Sequence, residues 1–255
     1  MRRIFFQIVV LAAAVSSLVA CSKSDNSGQP GPTRMRWINV VPNMGFDIYS
    51  NQEEVASDLP FDTLTGYAAG LPGFYNLRVV KTGTSDTLVN GNQQLQSGIY
   101  YSMFLLPDTS GGQINTNKAT VSIVTENTLS PVAGIDTLKL RFFNFAPFSP
   151  AIDVVMSIEG RTLPADTLRP FLRRIYNDQS YSSNYTQYGL FRSNNRWKFD
   201  LYNASEGVGR QPIKTFYQAL NAGSVYTLYI KPIVGMENTD TFDFKFIQKG
   251  YVDQN

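Results

Sequence analysis

The sequence predicts an all-β protein, two tandem antiparallel β-sandwiches behind an N-terminal export segment and a short tether. Three observations predict it. Apolar and polar residues alternate with period two along most of the chain, the signature of half-buried strands. A set of landmarks occurs twice in the same order. Turn residues punctuate the apolar runs, at Gly70-Leu71-Pro72-Gly73, Gly83-Thr84-Ser85-Asp86 and Ser110-Gly111-Gly112, as in a sandwich or barrel. Repeats of roughly 100 residues with about seven strands suit an immunoglobulin-like sandwich. No Cys…Trp…Cys pattern accompanies them, so the likeness is one of architecture.

The chain opens on an address. Met1-Arg2-Arg3 is basic, Ile4 to Ala20 is almost wholly apolar or small, and Leu18-Val19-Ala20-Cys21 follows. A charged start, an apolar stretch and a small-residue cleavage site make a secretory signal. Seventeen residues containing Gln7, Ser16 and Ser17 fall short of the about 20 needed to span a bilayer. Leu-Val-Ala-Cys resembles the lipobox of bacterial lipoproteins. That resemblance implies cleavage between Ala20 and Cys21, a diacylglycerol on the Cys21 thiol and acylation of its new amine. Two acyl signals hold a protein on a membrane where one is marginal. Residues 22–33 (SKSDNSGQPGPT) have the composition of a flexible tether. Ser22 after the cysteine resembles the outer-membrane sorting class, and Lys23 with Asp25 resembles the surface-export signal of Bacteroidota lipoproteins, though Ser24 and Asn26 break the acidic pair.

The remainder repeats once. Each half opens on a strand ending in Asn-x-x-Pro: Met35-Arg36-Trp37-Ile38-Asn39 with Pro42, and Leu140-Arg141-Phe142-Phe143-Asn144 with Pro147. A strand carrying an aspartate follows, at Asp47 and Asp153. Leu-x-x-Gly-x-x-Tyr comes later, as Leu95-Gly98-Tyr101 and Leu220-Gly223-Tyr226, and an alternating strand closes each unit. The reading is therefore signal 1–20, tether 21–33, first sandwich 34–127, linker 128–137 and second sandwich 138–250. The linker carries Pro131 and Gly134, residues compatible with a hinge. Gly98 and Gly223 are expected to allow the crossover between sheets. Tyr101 and Tyr226 then bury their rings and bond their hydroxyls to nearby backbone, the logic of a tyrosine corner. Asp47 and Asp153 are expected to accept backbone N–H groups from the Asn-x-x-Pro turns. Each strand is expected to bury one face and wet the other.

These landmarks, with Leu71-Pro72-Gly73 and the Gly-x-x-Tyr-Ser/Thr stretches from Gly98 to Ser102 and Gly223 to Thr227, resemble the bacterial domain-of-unknown-function family numbered 4397. The resemblance is close in the first half and looser in the second, where Gly189-Leu190-Phe191 stands near the place of Leu-Pro-Gly. It implies secreted or lipid-anchored proteins with tandem Ig-like units, and it carries over no catalytic residue.

Composition narrows the chemistry. The chain has no histidine and one cysteine, which removes Ser-His-Asp and Cys-His catalysis and imidazole or multi-thiolate zinc sites. Arg2 and Arg3 leave with the signal, so the mature chain balances 20 basic against 20 acidic side chains. No basic stripe points to nucleic acid, and no cofactor or metal site is expected. The segment 161–188 departs from the first half and concentrates Tyr, Ser and Asn. Tyr176, Tyr181, Tyr185 and Tyr188, with Arg173 and Arg174, are the candidate ligand contacts, because rigid amphipathic rings beside adaptable hydrogen-bonders suit recognition. Asp-Thr-Leu occurs four times. It reads as turn syntax, and it also resembles an O-glycosylation acceptor, which implies Thr63, Thr87, Thr137 and Thr167 as candidates. The expected protein is no enzyme. It is a lipid-anchored outer-membrane protein, at the cell surface or facing the periplasm, that binds glycan or another protein. The alternative is a structural accessory or spacer of an envelope complex.

Overall fold

The computed structural model describes residues 31–126, 136–161, 166–193, 195–207, 209–236 and 238–248. The signal, Cys21, most of the tether and the linker with Pro131 and Gly134 lie outside the described residues. The described part is all-β with two short 3-10 turns, Asp178–Ser180 and Ser183–Thr186.

The first half contains β1 (Thr33–Asn39), β2 (Phe46–Ser50), β3 (Glu53–Leu59), β4 (Ala68–Gly70), β5 (Gly73–Lys81), β6 (Thr87–Leu95), β7 (Tyr100–Asp108) and β8 (Asn115–Thr125). The second contains β9 (Thr137–Asn144), β10 (Ile152–Ile158), β11 (Thr167–Arg174), β12 (Gly189–Arg192), β13 (Asn195–Asn203), β14 (Lys214–Leu220), β15 (Val225–Pro232) and β16 (Phe242–Gln248). The sheets β4-β1-β7-β8 and β3-β2-β5-β6 have their counterparts in β12-β9-β15-β16 and β11-β10-β13-β14. The repeat read from the sequence is thus a repeat of topology. Among the described residues each unit has eight strands rather than seven, because β4 and β12 are edge strands of three and four residues, too short to register as alternation. Gly189-Leu190-Phe191 lies within β12, so it is not the counterpart of the Leu71-Pro72-Gly73 loop between β4 and β5. Each sandwich has one parallel pair, β1 with β7 and β9 with β15.

The expectation of one wet face fails for the inner sheets. Met35, Trp37, Tyr101 and Met103 face the first core, and Leu140, Phe142, Tyr226 and Leu228 face the second. The alternate residues Ile38, Phe104, Leu106, Phe143 and Tyr229 join Val40, Val124, Phe145 and Ile247 in a third buried cluster. The two inner sheets therefore stack on one another, and every residue of β15 is buried. A strand covered on both faces reads as a near-continuous apolar run, and the stretches Met103–Leu106 and Phe142–Phe145 carry that pattern. Phe104 of the first half lies against Phe143, Phe145 and Tyr229 of the second, with ring centroids 5.8, 4.7 and 6.0 Å away.

The repeated landmarks hold local geometry. Asn39 donates to the carbonyls of Met44 and Leu59 at 2.7 and 3.0 Å and accepts from the Val41 N–H at 2.8 Å. Asn144 donates to Ser149 and to the Arg174 carbonyl and accepts from Ala146 N–H. Each asparagine ties its own turn to the end of β3 or β11. Asp47 and Asp153 accept backbone N–H groups, but not from those turns. Asp58 N–H donates to Asp47 at 2.8 Å, and Arg173 N–H donates to Asp153 at 2.7 Å. Asp58 and Arg173 have φ of 46° and 50° and sit where the β2–β3 and β10–β11 registers shift. The aspartates therefore pin β-bulges whose left-handed residue carries a Cβ, a conformation that needs such support. The tyrosine corners form as read. Gln96 N–H donates to the Tyr101 hydroxyl at 2.9 Å, and Asn221 N–H to that of Tyr226 at 3.1 Å. Gly98 and Gly223 supply the φ of 71° and 68° at the crossovers between sheets.

Candidate functional site

Sequence reasoning missed a polar cluster at the seam between the halves. Arg36 on β1 and Arg141 on β9 hold equivalent places in the repeat. Both are buried, and both donate to Oε1 of buried Glu126, at 3.1 and 3.0 Å. Arg36 Nε donates to Ser102 at 2.8 Å, and Arg141 Nε donates to Thr227 at 2.9 Å. These acceptors are the last residues of the two Gly-x-x-Tyr-Ser/Thr stretches, so the motif carries the arginine's support as well as the corner. Ser102 donates in turn to Glu126 Oε1, and Tyr67 donates to Oε2 at 2.7 Å. Among the described residues, two guanidinium groups share one carboxylate, which is one excess positive charge. Ring faces receive it: Tyr67 lies 4.8 Å from the Arg36 guanidinium, and Tyr188 and Phe143 lie 4.5 and 4.8 Å from that of Arg141, within cation–π range. Burial lowers Arg141 to about 10, so it stays charged at neutral pH. The signal was an arginine between large apolar residues at the same place of the repeat, Met35-Arg36-Trp37 and Leu140-Arg141-Phe142.

The loops after β3 and β11 clasp the seam reciprocally. Asp62, after β3, meets Lys231 and Lys245 of the second half at 3.1 and 3.0 Å. After β11, the Tyr176 hydroxyl donates to the Pro107 carbonyl at 2.5 Å, and Gln179 donates to Ser122 at 3.1 Å. Asp62 and Asn177 occupy matching left-handed positions, and their N–H groups donate to the carbonyls of Asn39 and Asn144.

The candidate ligand segment is thereby divided. Tyr176 and Tyr188 are half-buried in the seam. Arg174 is buried and forks onto Asp178 at 2.6 and 2.7 Å, which commits it internally. Arg173 is exposed at the bulge, Tyr181 is 79% exposed, and Tyr185 is exposed above the Arg174 guanidinium at 4.7 Å. Leu172 and Ile175 are exposed beside them in sequence. The structure thus leaves Arg173, Tyr181 and Tyr185 facing outward and spends Tyr176, Tyr188 and Arg174 on packing.

Of the Asp-Thr-Leu threonines, Thr87, Thr137 and Thr167 open β6, β9 and β11, the turn-to-strand role that the tripeptide's chemistry suits. Thr87 and Thr167 are exposed; Thr63 and Thr137 are partly covered, and Thr63 donates to the Pro60 carbonyl.

Three phenols at the seam are held above the ordinary tyrosine range. Burial is the first cause for each, reinforced by Asp62 for Tyr229 and by Asp108 for Tyr176, and offset in part by Arg36 for Tyr67. In the unfolded chain these phenols ionise near about 10. The folded state holds the protons longer, so its stability is full below that pH and falls as pH rises above it. A phenolate absorbance titration should show these tyrosines lagging the rest of the 14 until the chain unfolds. Simultaneous titration of all of them in a folded chain would contradict the assignment.

Fold and site define the class: an all-β protein of two sandwiches joined through a buried, clasped seam. The family described as Domain of unknown function (DUF4397) matches residues 33–155, and the chain carries a domain of that family there. The match takes in the whole first sandwich with β9 and part of β10. Among the curated proteins, nothing matches. Among solved structures, the chain is similar to a family 26 carbohydrate-binding module of Eubacterium rectale Amy13K, crystallised with maltoheptaose. That similarity is at 8% identity and TM-score 0.23, covering 87% of this chain and 98% of that one; at such a score it carries no argument.

Proposed function

We propose that the protein is a non-enzymatic, lipid-anchored component of the bacterial cell envelope that binds glycan or protein through the segment between β11 and β12. The observation that carries this reading is the construction of the segment after β11. Its backbone is fixed by the buried Arg174–Asp178 fork and by Tyr176 and Gln179, while Tyr181 and Tyr185 stand outside. A surface ordered in advance loses little entropy on binding, and exposed rings beside Asn184, Ser183 and Gln187 can stack on a sugar face or enter a protein interface. β1 runs from Thr33, and β9 runs in the same sense, because Asp62 beyond the end of β1 meets Lys231 near the end of β15, which is parallel to β9. The end of β11 pairs with the start of β10, so the segment leaves the end remote from Thr33 and runs back along the seam to Gly189, the partner of Leu140.

The test is retardation of the acylated chain in gels containing envelope polysaccharide, against the variant Tyr181→Ala, Tyr185→Ala. Loss of two aromatic contacts should weaken binding by about tenfold or more. Equal retardation of both chains would remove these rings from the site. The accessory reading draws support from Tyr176 and Tyr188 being used for packing. It expects no retardation by polysaccharide and co-purification with an envelope complex instead.

A further inference from the structure

We infer that the loop of residues 71–74 is a membrane-contact element that docks into the lipid surface beside the anchor; this rests on the lipid-anchored reading above. Leu71 and Phe74 are 78% and 74% exposed, unusual for large apolar side chains on a braced loop. The loop does not hang free. The Tyr75 hydroxyl donates to the Leu71 carbonyl at 2.5 Å, and a Cβ at Gly70 would collide with that hydroxyl. The position of the loop is the second observation. Thr33, the first residue of β1, is the register partner of Gly70, and Arg34 is the partner of Ala69. Gly73 pairs with Leu95 at the same end. The loop therefore flanks the point from which the chain leads back to Cys21.

Eleven residues, 22–32, separate the acylated cysteine from β1, and this stretch spans at most about 40 Å in any conformation. The anchor holds a lipid surface within that reach, so insertion becomes an intramolecular step with a high effective concentration. Arg34 adds a cation on the same edge, its guanidinium 4.9 Å from the Tyr100 ring, where anionic headgroups would favour it. The acyl chains give residence, and the loop gives the folded unit a fixed attitude on the bilayer.

The experiment uses the full acylated chain in phosphatidylcholine–phosphatidylglycerol vesicles with brominated acyl chains. Both native tryptophans, Trp37 and Trp197, are buried and form a constant background. Phe74→Trp introduces an exposed indole at the loop, and Tyr181→Trp introduces one in the segment after β11, away from it. The expected result is that brominated lipid removes most of the added emission of Phe74→Trp and leaves that of Tyr181→Trp unchanged. Adding Leu71→Ser should weaken the quenching. An acylated Phe74→Trp chain with unquenched emission would overturn the inference and leave the anchor standing. Unquenched emission that is nevertheless shielded from iodide on whole cells would overturn it in favour of a protein partner. A wild-type chain lacking acyl mass at Cys21 would overturn the anchored reading, and the inference with it.

Discussion

Glu126→Gln is expected to destabilise the folded unit by about 3–5 kcal/mol, the cost of removing one partner from a buried ionic group. The substitution nearly preserves shape, so the effect is electrostatic. Arg36 and Arg141 keep their places with Ser102 and Thr227, but neither guanidinium retains a counter-charge. Ring faces already in place contribute about 2 kcal/mol each when desolvated, but they carry no net charge and cannot replace a carboxylate shared by two cations. Urea unfolding gives the number directly. Arg36→Met, Arg141→Met and Glu126→Leu introduced together should recover most of the loss, since a well-packed apolar replacement of a buried ionic cluster is often neutral. A single Glu126→Gln within about 1 kcal/mol of wild type, inside the range of an exposed pair, would show that the cluster is solvated in solution and the seam open there.

Phe104→Ala should cost about 3–5 kcal/mol and act on one part of the molecule. Phe104 faces away from the first core and into Phe143, Phe145 and Tyr229, so its removal leaves both sandwich cores intact and empties the junction between them. Hydrogen exchange should therefore accelerate in β7, β9 and β15 while β5 and β13, in the outer sheets, keep their protection. Uniform acceleration across all four sheets would mean that the halves unfold as one and that the junction is no separate unit of stability. Loss of protection confined to β7 would mean that β9 and β15 do not depend on the contact.

Much of the fold was legible because its determinants are local. Asn39 and Asn144, Gly98 and Gly223, Tyr101 and Tyr226 act on residues two to a few tens of positions away, and each has a residue type that only a few geometries require. Asp47 and Asp153 were legible as hydrogen-bond acceptors but not as pins of bulges, because the partners Asp58 and Arg173 are chosen by backbone conformation rather than side-chain type. The seam was not legible as a seam. Its members come from opposite halves, and an apolar residue on the outer face of a sheet looks the same whether it meets solvent, a partner or another part of the same chain. Arg36 and Arg141 read as ordinary polar positions of an alternating strand. The tyrosine-rich segment was legible as unusual, and its composition serves two purposes that residue type cannot separate: Tyr176 and Tyr188 face inward while Tyr181 and Tyr185 face outward.

The parallel pairing of β1 with β7 sets how the molecule carries tension. β1 begins at Thr33 and lies beside β7 over six register positions, from Arg34 with Tyr100 to Asn39 with Leu105. A pull on residue 33, opposed by a force beyond the end of β1, runs along the strand and loads the evenly spaced hydrogen bonds of that pair together, in shear, instead of peeling them one by one. Rupture force in single-molecule pulling between residue 33 and residue 181 should therefore exceed that for pulling β6 sideways off β5. Equal forces would mean that β1 is not the strand that bears the load. In the expected case, β1 is a mechanical clamp, and a pull on its N-terminal end would be resisted by the whole β1–β7 ladder before the fold unravelled.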